Sequence, residues 1–102
     1  MTLATQSVLK VLLDDPSQAR YGFEIAHEAG LATGSLYPIL ARLEHAGWLT
    51  SWWEDIPEAE SGRPRRRYYR LTTDGAVMAR DALARTLHRV TPKTWRPAAG
   101  SI

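Results

Sequence analysis

The residues with most chemistry to offer lie in one run, Gly62-Arg63-Pro64-Arg65-Arg66-Arg67-Tyr68-Tyr69-Arg70-Leu71-Thr72. Five of the chain's thirteen Lys+Arg fall within it. Guanidinium groups are planar forks of donors that match phosphate oxygens in pairs and stay charged at any physiological pH. Crowded together, they focus a positive field of the kind that attracts duplex DNA. The same charges also suit a solvated strand edge, where charge prevents mispairing, so the run alone leaves both readings open. A second set of donors stands upstream: Ser35 and Tyr37 can donate to phosphates, and Arg42 can reach a phosphate or a guanine edge. Other chemistries lack their residues. There is no cysteine, which excludes disulfides, thiolate metal sites and thiol redox switching. His27, His45 and His88 fall on separate elements without metal-ligand spacing, and no phosphate loop or nucleophile motif occurs. No enzyme, metal or cofactor is expected.

These residues need a scaffold, and apolar periodicity predicts one. A first helix runs over Leu3–Leu13, with Ala4, Val8, Val11 and Leu12 on one face, and Asp14-Asp15-Pro16 ends it. It is apolar on more sides than one neighbour can cover, which predicts a second contact surface such as a partner subunit. A second helix spans Tyr21–Ala29, with Phe23, Ile25, Ala26 and Ala29 as packing positions and Gly30 as its stop. A third runs from about Gly34 to Ala46. Its inward face is Leu36, Leu40 and Leu43, with Ile39 beside them, and its outward face is Gly34, Pro38, Ala41 and His45. With Ser35 as N-cap, Pro38 falls in the first turn and forfeits no hydrogen bond. Trp48–Glu54 and Arg65–Thr72 read as two strands of a hairpin around a Pro- and Gly-containing tip. Thr72 or Thr73 caps a last helix, Asp74–Val90, carrying Ala76, Ala79, Leu83, Leu87 and Val90 at three- and four-residue steps. Pro92 is expected to end it and leave a loose tail over 91–102.

The predicted fold is therefore mainly α with a small β-hairpin, in the order α-α-α-β-β-α: a winged helix-turn-helix. Residues 1–90 form the domain, with 74–90 as its terminal helix. The third helix would enter a major groove by its N-terminus, where small residues allow close approach and Pro38 stiffens the end. Arg63, Arg65, Arg66 and Arg67 would meet phosphates or the minor groove from the wing. Net charge is only +2, but its distribution is uneven: residues 1–53 carry −2, 54–60 carry −4, 63–70 carry +5 and 71–102 carry +3. The acidic stretch Glu54, Asp55, Glu58, Glu60 fits DNA least well, and is expected to pair with the arginines across the hairpin or to face solvent. No leader and no membrane-length apolar run is seen in the sequence, and a soluble, cytoplasmic protein is expected.

The chain resembles the PadR family of winged-helix transcriptional regulators. The resemblance is carried by Tyr21-Gly22-Phe23-Glu24-Ile25-Ala26, by Gly34 to Glu44, by Gly47-Trp48-Leu49, and by Gly62 to Thr72 with Asp74-Gly75. It implies a homodimer whose first and last helices pack across a two-fold axis, for which Leu3, Val8, Leu83, Leu87 and Val90 are the expected contacts. It further implies a palindromic double-stranded DNA operator, usually repressed. Ser35, Tyr37, Pro38 and Arg42 would then lie on the recognition helix, and Arg63 to Arg67 on the wing. Some members bind flat aromatic compounds between tryptophans, which makes Trp95 the expected contact for a small aromatic effector. The alternative class is a winged-helix module that binds protein through the same surface, since fold alone does not settle function.

Overall fold

A computed structural model describes the backbone of residues 1–100 and the side chains of residues 1–86. Helix α1 (Leu3–Asp14) opens with Thr2, whose side chain accepts from the Thr5 backbone N–H. A two-residue strand β1 (Arg20–Tyr21) leads into α2 (Gly22–Ala29), which ends at Gly30 with φ 71°, a left-handed turn that glycine adopts without steric cost. Helix α3 (Thr33–His45) follows after a short turn. Strand β2 (Leu49–Trp53), a one-turn helix α4 (Glu58–Ser61) and strand β3 (Arg67–Leu71) make the wing, and α5 (Thr73–Gly100) closes the order.

The sheet is three-stranded and antiparallel, ordered β1-β3-β2. Leu49 pairs with Leu71, Ser51 with Tyr69 and Trp53 with Arg67, while Arg20 of β1 faces Tyr69 from the other side. This register places Tyr69 and Leu71 on the buried face and leaves Arg70 exposed, as the two-residue period predicts. The core gathers Val8, Leu9 and Leu12 of α1, Ile25 and Ala26 of α2, Leu36, Ile39, Leu40 and Leu43 of α3, and Ala76 and Ala79 of α5.

Four expectations change. Strand β1 adds a third strand to the expected hairpin; two residues show no alternation, and only the partner strand defines it. Phe23, expected to pack, is 68 % exposed, because α2 presents Ile25 and Ala26 to the core and turns its first-turn ring outward. Val8, expected across a dimer interface, is fully buried within its own protomer and has no surface left to offer a partner. The last helix does not end at Pro92: α5 continues to Gly100, so the loose tail expected over 91–102 is helical as far as that residue. Proline's fixed φ is helical, and its cost is one lost hydrogen bond and a local clash, which here does not terminate the element. Leu87, Val90 and Trp95 lie beyond the residues whose side chains are described. Leu3 is 80 % exposed, and Leu83 is half-buried against the core.

Candidate nucleic-acid interface

The third helix is held by its apolar row, so its other side is free. Leu36, Ile39, Leu40 and Leu43 are buried, whereas Gly34, Ser35, Tyr37, Pro38, Ala41, Arg42 and His45 are exposed. The helix begins earlier than expected. Ala32 is its N-cap, and Ser35 and Leu36 both donate their N–H to the Ala32 carbonyl at 3.0 Å. Ser35 is therefore an exposed residue of the first turn rather than the cap. Pro38 sits one turn further in, where it has no N–H to give the Gly34 carbonyl. Gly34 is itself exposed.

Tyr37 is the partial exception on this face. Its ring lies against the N-terminus of α2: a Cβ at Gly22 would come within 2.3 Å of the Tyr37 hydroxyl oxygen. Glycine at position 22 is what lets the two helices approach there. Tyr37 thus packs on the domain and remains 40 % exposed.

The wing divides its arginines into two kinds. Arg63 donates from Nη1 to Glu54 Oε1 at 2.8 Å and from Nη2 to Oε2 at 3.0 Å. The Arg66 backbone N–H donates to the same carboxylate at 3.3 Å, and the Glu54 N–H returns to the Arg66 carbonyl at 2.9 Å. Glu54 is 8 % exposed, and the Arg63 guanidinium beside it holds its carboxyl below the usual carboxylate range. This fork closes the hairpin and gives Arg63, expected on phosphates, an ion-pair partner within the protein. It also accounts for the first residue of the acidic stretch that fitted DNA poorly.

Arg67 is engaged as well. Its Nη2 donates to Ser51 Oγ at 2.8 Å, and Ser51 Oγ donates onward to Glu44 Oε2 at 2.6 Å. The relay ties β3 through β2 to α3, so the wing and the helix it accompanies keep one relative position. Arg67 also lies 5.1 Å from the Trp53 ring centroid. It is thus a second arginine, expected on phosphates, that has partners within the protein. Arg65 is exposed, and the Arg66 guanidinium lies 4.0 Å over the Tyr21 ring; among the described residues neither has an ion-pair partner. Stacking on a ring orients a guanidinium while leaving its edge donors available.

Tyr37, Arg65 and Arg66 border one cavity of about 640 Å³ between α3 and the wing. Sequence reasoning missed Arg20, which is buried and donates to Glu28 at 2.8 Å with Asp14 at 3.7 Å, so that α1, β1 and α2 meet at one charge. It also missed the Glu44–Ser51–Arg67 relay, which depends on strand register. Among the described residues no cluster could hold a metal ion, and no helix is long and apolar enough to cross a membrane.

Residues 8–81 match the family model of the PadR-like transcriptional regulators. No curated relative matches the sequence. Among solved structures, the chain is similar to a PadR family transcription regulator from Clostridium difficile R20291, with TM-score 0.67 and 25 % identity over 91 % of this chain and 98 % of that one. It is similar to smu.1704 from Streptococcus mutans UA159, with TM-score 0.67 and 26 % identity over 99 % and 92 %. It shares its fold with the PcaV transcriptional regulator from Streptomyces coelicolor, solved with its natural ligand, at TM-score 0.68 and 21 % identity; 95 % of this chain is covered but 62 % of that one. A winged helix with an exposed face on its third helix and a basic wing, matched over most of its length by this family model, the chain belongs to the transcriptional regulator PadR-like family and is a DNA-binding regulator rather than an enzyme.

Proposed function

We propose that the protein is a homodimeric repressor that occupies a palindromic operator and is released by a small effector molecule. The observation that carries this reading is geometric: the exposed side of α3, through Tyr37, and the wing arginines without ion-pair partners, Arg65 and Arg66, border the same cavity. One surface therefore offers both a helix of groove-sized reach and the positive charge to hold the flanking backbone. Ser35 and Arg42 read base edges or fix the helix on phosphates, and Pro38 keeps the leading end of the helix stiff. Arg65 and Arg66 bind phosphates. Two copies related by a two-fold axis would place two α3 helices in successive major grooves about 34 Å apart. Exposed Leu3 on α1 supports a contact between copies, and the PcaV complex with its ligand supports effector control in proteins of this fold.

The test is a fluorescence-anisotropy titration against the DNA upstream of the protein's own coding sequence, beside a scrambled duplex, at two salt concentrations. The expected result is tighter binding to the upstream fragment that weakens steeply with salt. Replacing Arg65 and Arg66 together with alanine should reduce the log–log salt slope by about 2, close to one unit for each phosphate no longer neutralised. An unchanged slope would remove the wing from the interface, and binding without salt dependence would favour a protein partner.

A further inference from the structure

The basic run ends on an arginine that neither the wing's internal pairs nor the DNA surface employs. Arg70 is exposed on the solvent side of β3, directly across from Thr50 of β2, with its guanidinium 5.3 Å from the Trp52 ring centroid. Both residues border another cavity, of about 560 Å³, away from the wing tip. Helix α5 supplies the opposite wall. Thr73, Val77 and Arg80 follow one another at steps of four and three, so they share one face of the helix, and all three line the cavity. Pro16, in the turn after α1, stands on the third side. Among the described residues neither Arg70 nor Arg80 has an ion-pair partner, and no carboxylate lines the cavity. Asp74 borders a different cavity beside Trp48, and Asp81 is paired with Arg85. A concavity walled by one sign of charge focuses a field that draws in an anion. Its shape selects the anion. A duplex presents its phosphates on a convex surface, which suits a protruding wing, whereas two guanidiniums around a hollow suit a free molecule. A phosphate monoester brings three terminal oxygens, enough for two guanidinium forks and the hydroxyls of Thr50 and Thr73. Val77, 58 % exposed, and Pro16 offer apolar surface to the rest of such a molecule. The volume lies in the range that holds small organic ligands.

We propose that this cleft binds a small phosphate monoester with an apolar body, the phosphate between Arg70 and Arg80 and the body on Val77 and Pro16. A ligand there bridges β3 and α5 and leaves α3, Arg65 and Arg66 uncovered, so it occupies the protein together with the operator and does not compete with it. Only that coexistence rests on the DNA-face reading given above; the ligand site does not.

The test is calorimetry on the full chain at about pH 7.5, above the second phosphate ionisation near 6, with ionic strength held constant. n-Butyl phosphate should bind at one site per chain. Pentanoate, a carboxylate of similar length, should be at least about tenfold weaker, because it brings one charge and two oxygens. Arg70→Gln combined with Arg80→Gln should weaken butyl phosphate at least about tenfold and leave duplex affinity at the wild-type value. Arg65→Gln combined with Arg66→Gln should leave butyl phosphate affinity unchanged. Val77→Ser should weaken butyl phosphate about threefold and inorganic phosphate not at all. Arg70, Arg80 and Val77 are exposed, so the fold should tolerate these changes, and thermal midpoints without ligand check that it does. Butyl phosphate should raise the midpoint of the wild type but not of the Arg70, Arg80 variant. Absence of binding overturns the inference. Wild-type affinity in the Arg70, Arg80 variant, or a loss confined to the Arg65, Arg66 variant, places the anion elsewhere and overturns it too. Pentanoate binding as tightly as butyl phosphate overturns the phosphate assignment. Protein saturated with the upstream duplex should take up butyl phosphate as the free protein does; competition between them would make the cleft a contact for DNA phosphates and overturn the free-ligand reading. Butyl phosphate binding by a chain that binds no duplex supports the ligand site and overturns the DNA reading.

Discussion

Arg42 and Glu54 show how differently two charged residues can serve the same surface. Arg42 is exposed on α3, two turns into the helix that reads DNA in the proposed function. A bidentate guanine contact is worth about 1–3 kcal/mol of discrimination. Arg42→Ala should therefore weaken binding to the upstream duplex by roughly tenfold or more while changing the scrambled duplex little; equal losses on both would make it a phosphate contact. Glu54 works inside the protein. Its carboxyl, lowered first by the hydrogen-bonded Arg63, is held in the charged form by folding. A carboxylate with a folded-state pKa below its unfolded value stabilises the fold fully above the unfolded value, and that contribution is lost as pH falls through the folded one. The wild-type thermal midpoint should thus drop below about pH 4.3 more steeply than that of Glu54→Gln, which should start lower at pH 7. Circular dichroism melts from pH 7 to pH 3 measure both, and parallel curves would mean the fork contributes nothing to stability.

The elements constrain their glycines unequally, which gives a test of how α3 and α5 are seated. In α5, a Cβ at Gly75 would come within 2.0 Å of the Trp48 carbonyl oxygen, a backbone atom already receiving the Thr72 N–H at 2.9 Å. Thr72 also caps this helix, accepting from the Gly75 N–H at 2.8 Å and donating to the Gly47 carbonyl at 2.9 Å. Gly75→Ala must push the helix off the turn after α3 and should cost about 1–3 kcal/mol, as overpacking does. At Gly34 a methyl group would meet nothing within 4 Å, so Gly34→Ala should be neutral or stabilising by up to about 1 kcal/mol. If α3 meets the major groove by its first turn, the same methyl should weaken operator binding, so the thermal midpoint and the affinity move in opposite directions. Both variants are read by thermal melts and anisotropy. Much of this scale was legible in the sequence. The inward row of α3, the two wing strands and a cap at Thr72 or Thr73 followed from apolar period and capping chemistry. What was not legible depended on partners distant in sequence. Strand β1 exists because β3 is beside it, and Phe23 is exposed because no neighbour reaches it. That the acidic stretch pairs with the wing arginines was legible, but not that Glu54 takes Arg63. Arg67 joins Ser51 and Glu44 through a register that no local pattern encodes.

At the scale of the whole molecule, the proposed repressor depends on two copies acting together. Leu3 and Val8, which share α1, separate the fold of one copy from the joining of two. Val8 is fully buried and Leu3 is 80 % exposed. A charge at Val8 has no water to reach and should unfold the protomer, whereas Leu3→Glu leaves the core untouched. If α1 packs across the two-fold axis, Leu3→Glu should shift the sedimentation profile toward monomer with no change in circular dichroism. Binding to a duplex with a single half-site should then remain at the wild-type value. Binding to the full palindrome should fall by about 10²-fold or more, because the second half-site is no longer engaged at the high effective concentration that linkage provides. That pattern would separate contact chemistry, which resides in α3 and the wing, from affinity, which resides in their duplication. A Leu3→Glu protein that stays dimeric would move the interface away from the start of α1, and the long helix α5 would then be the element to mutate.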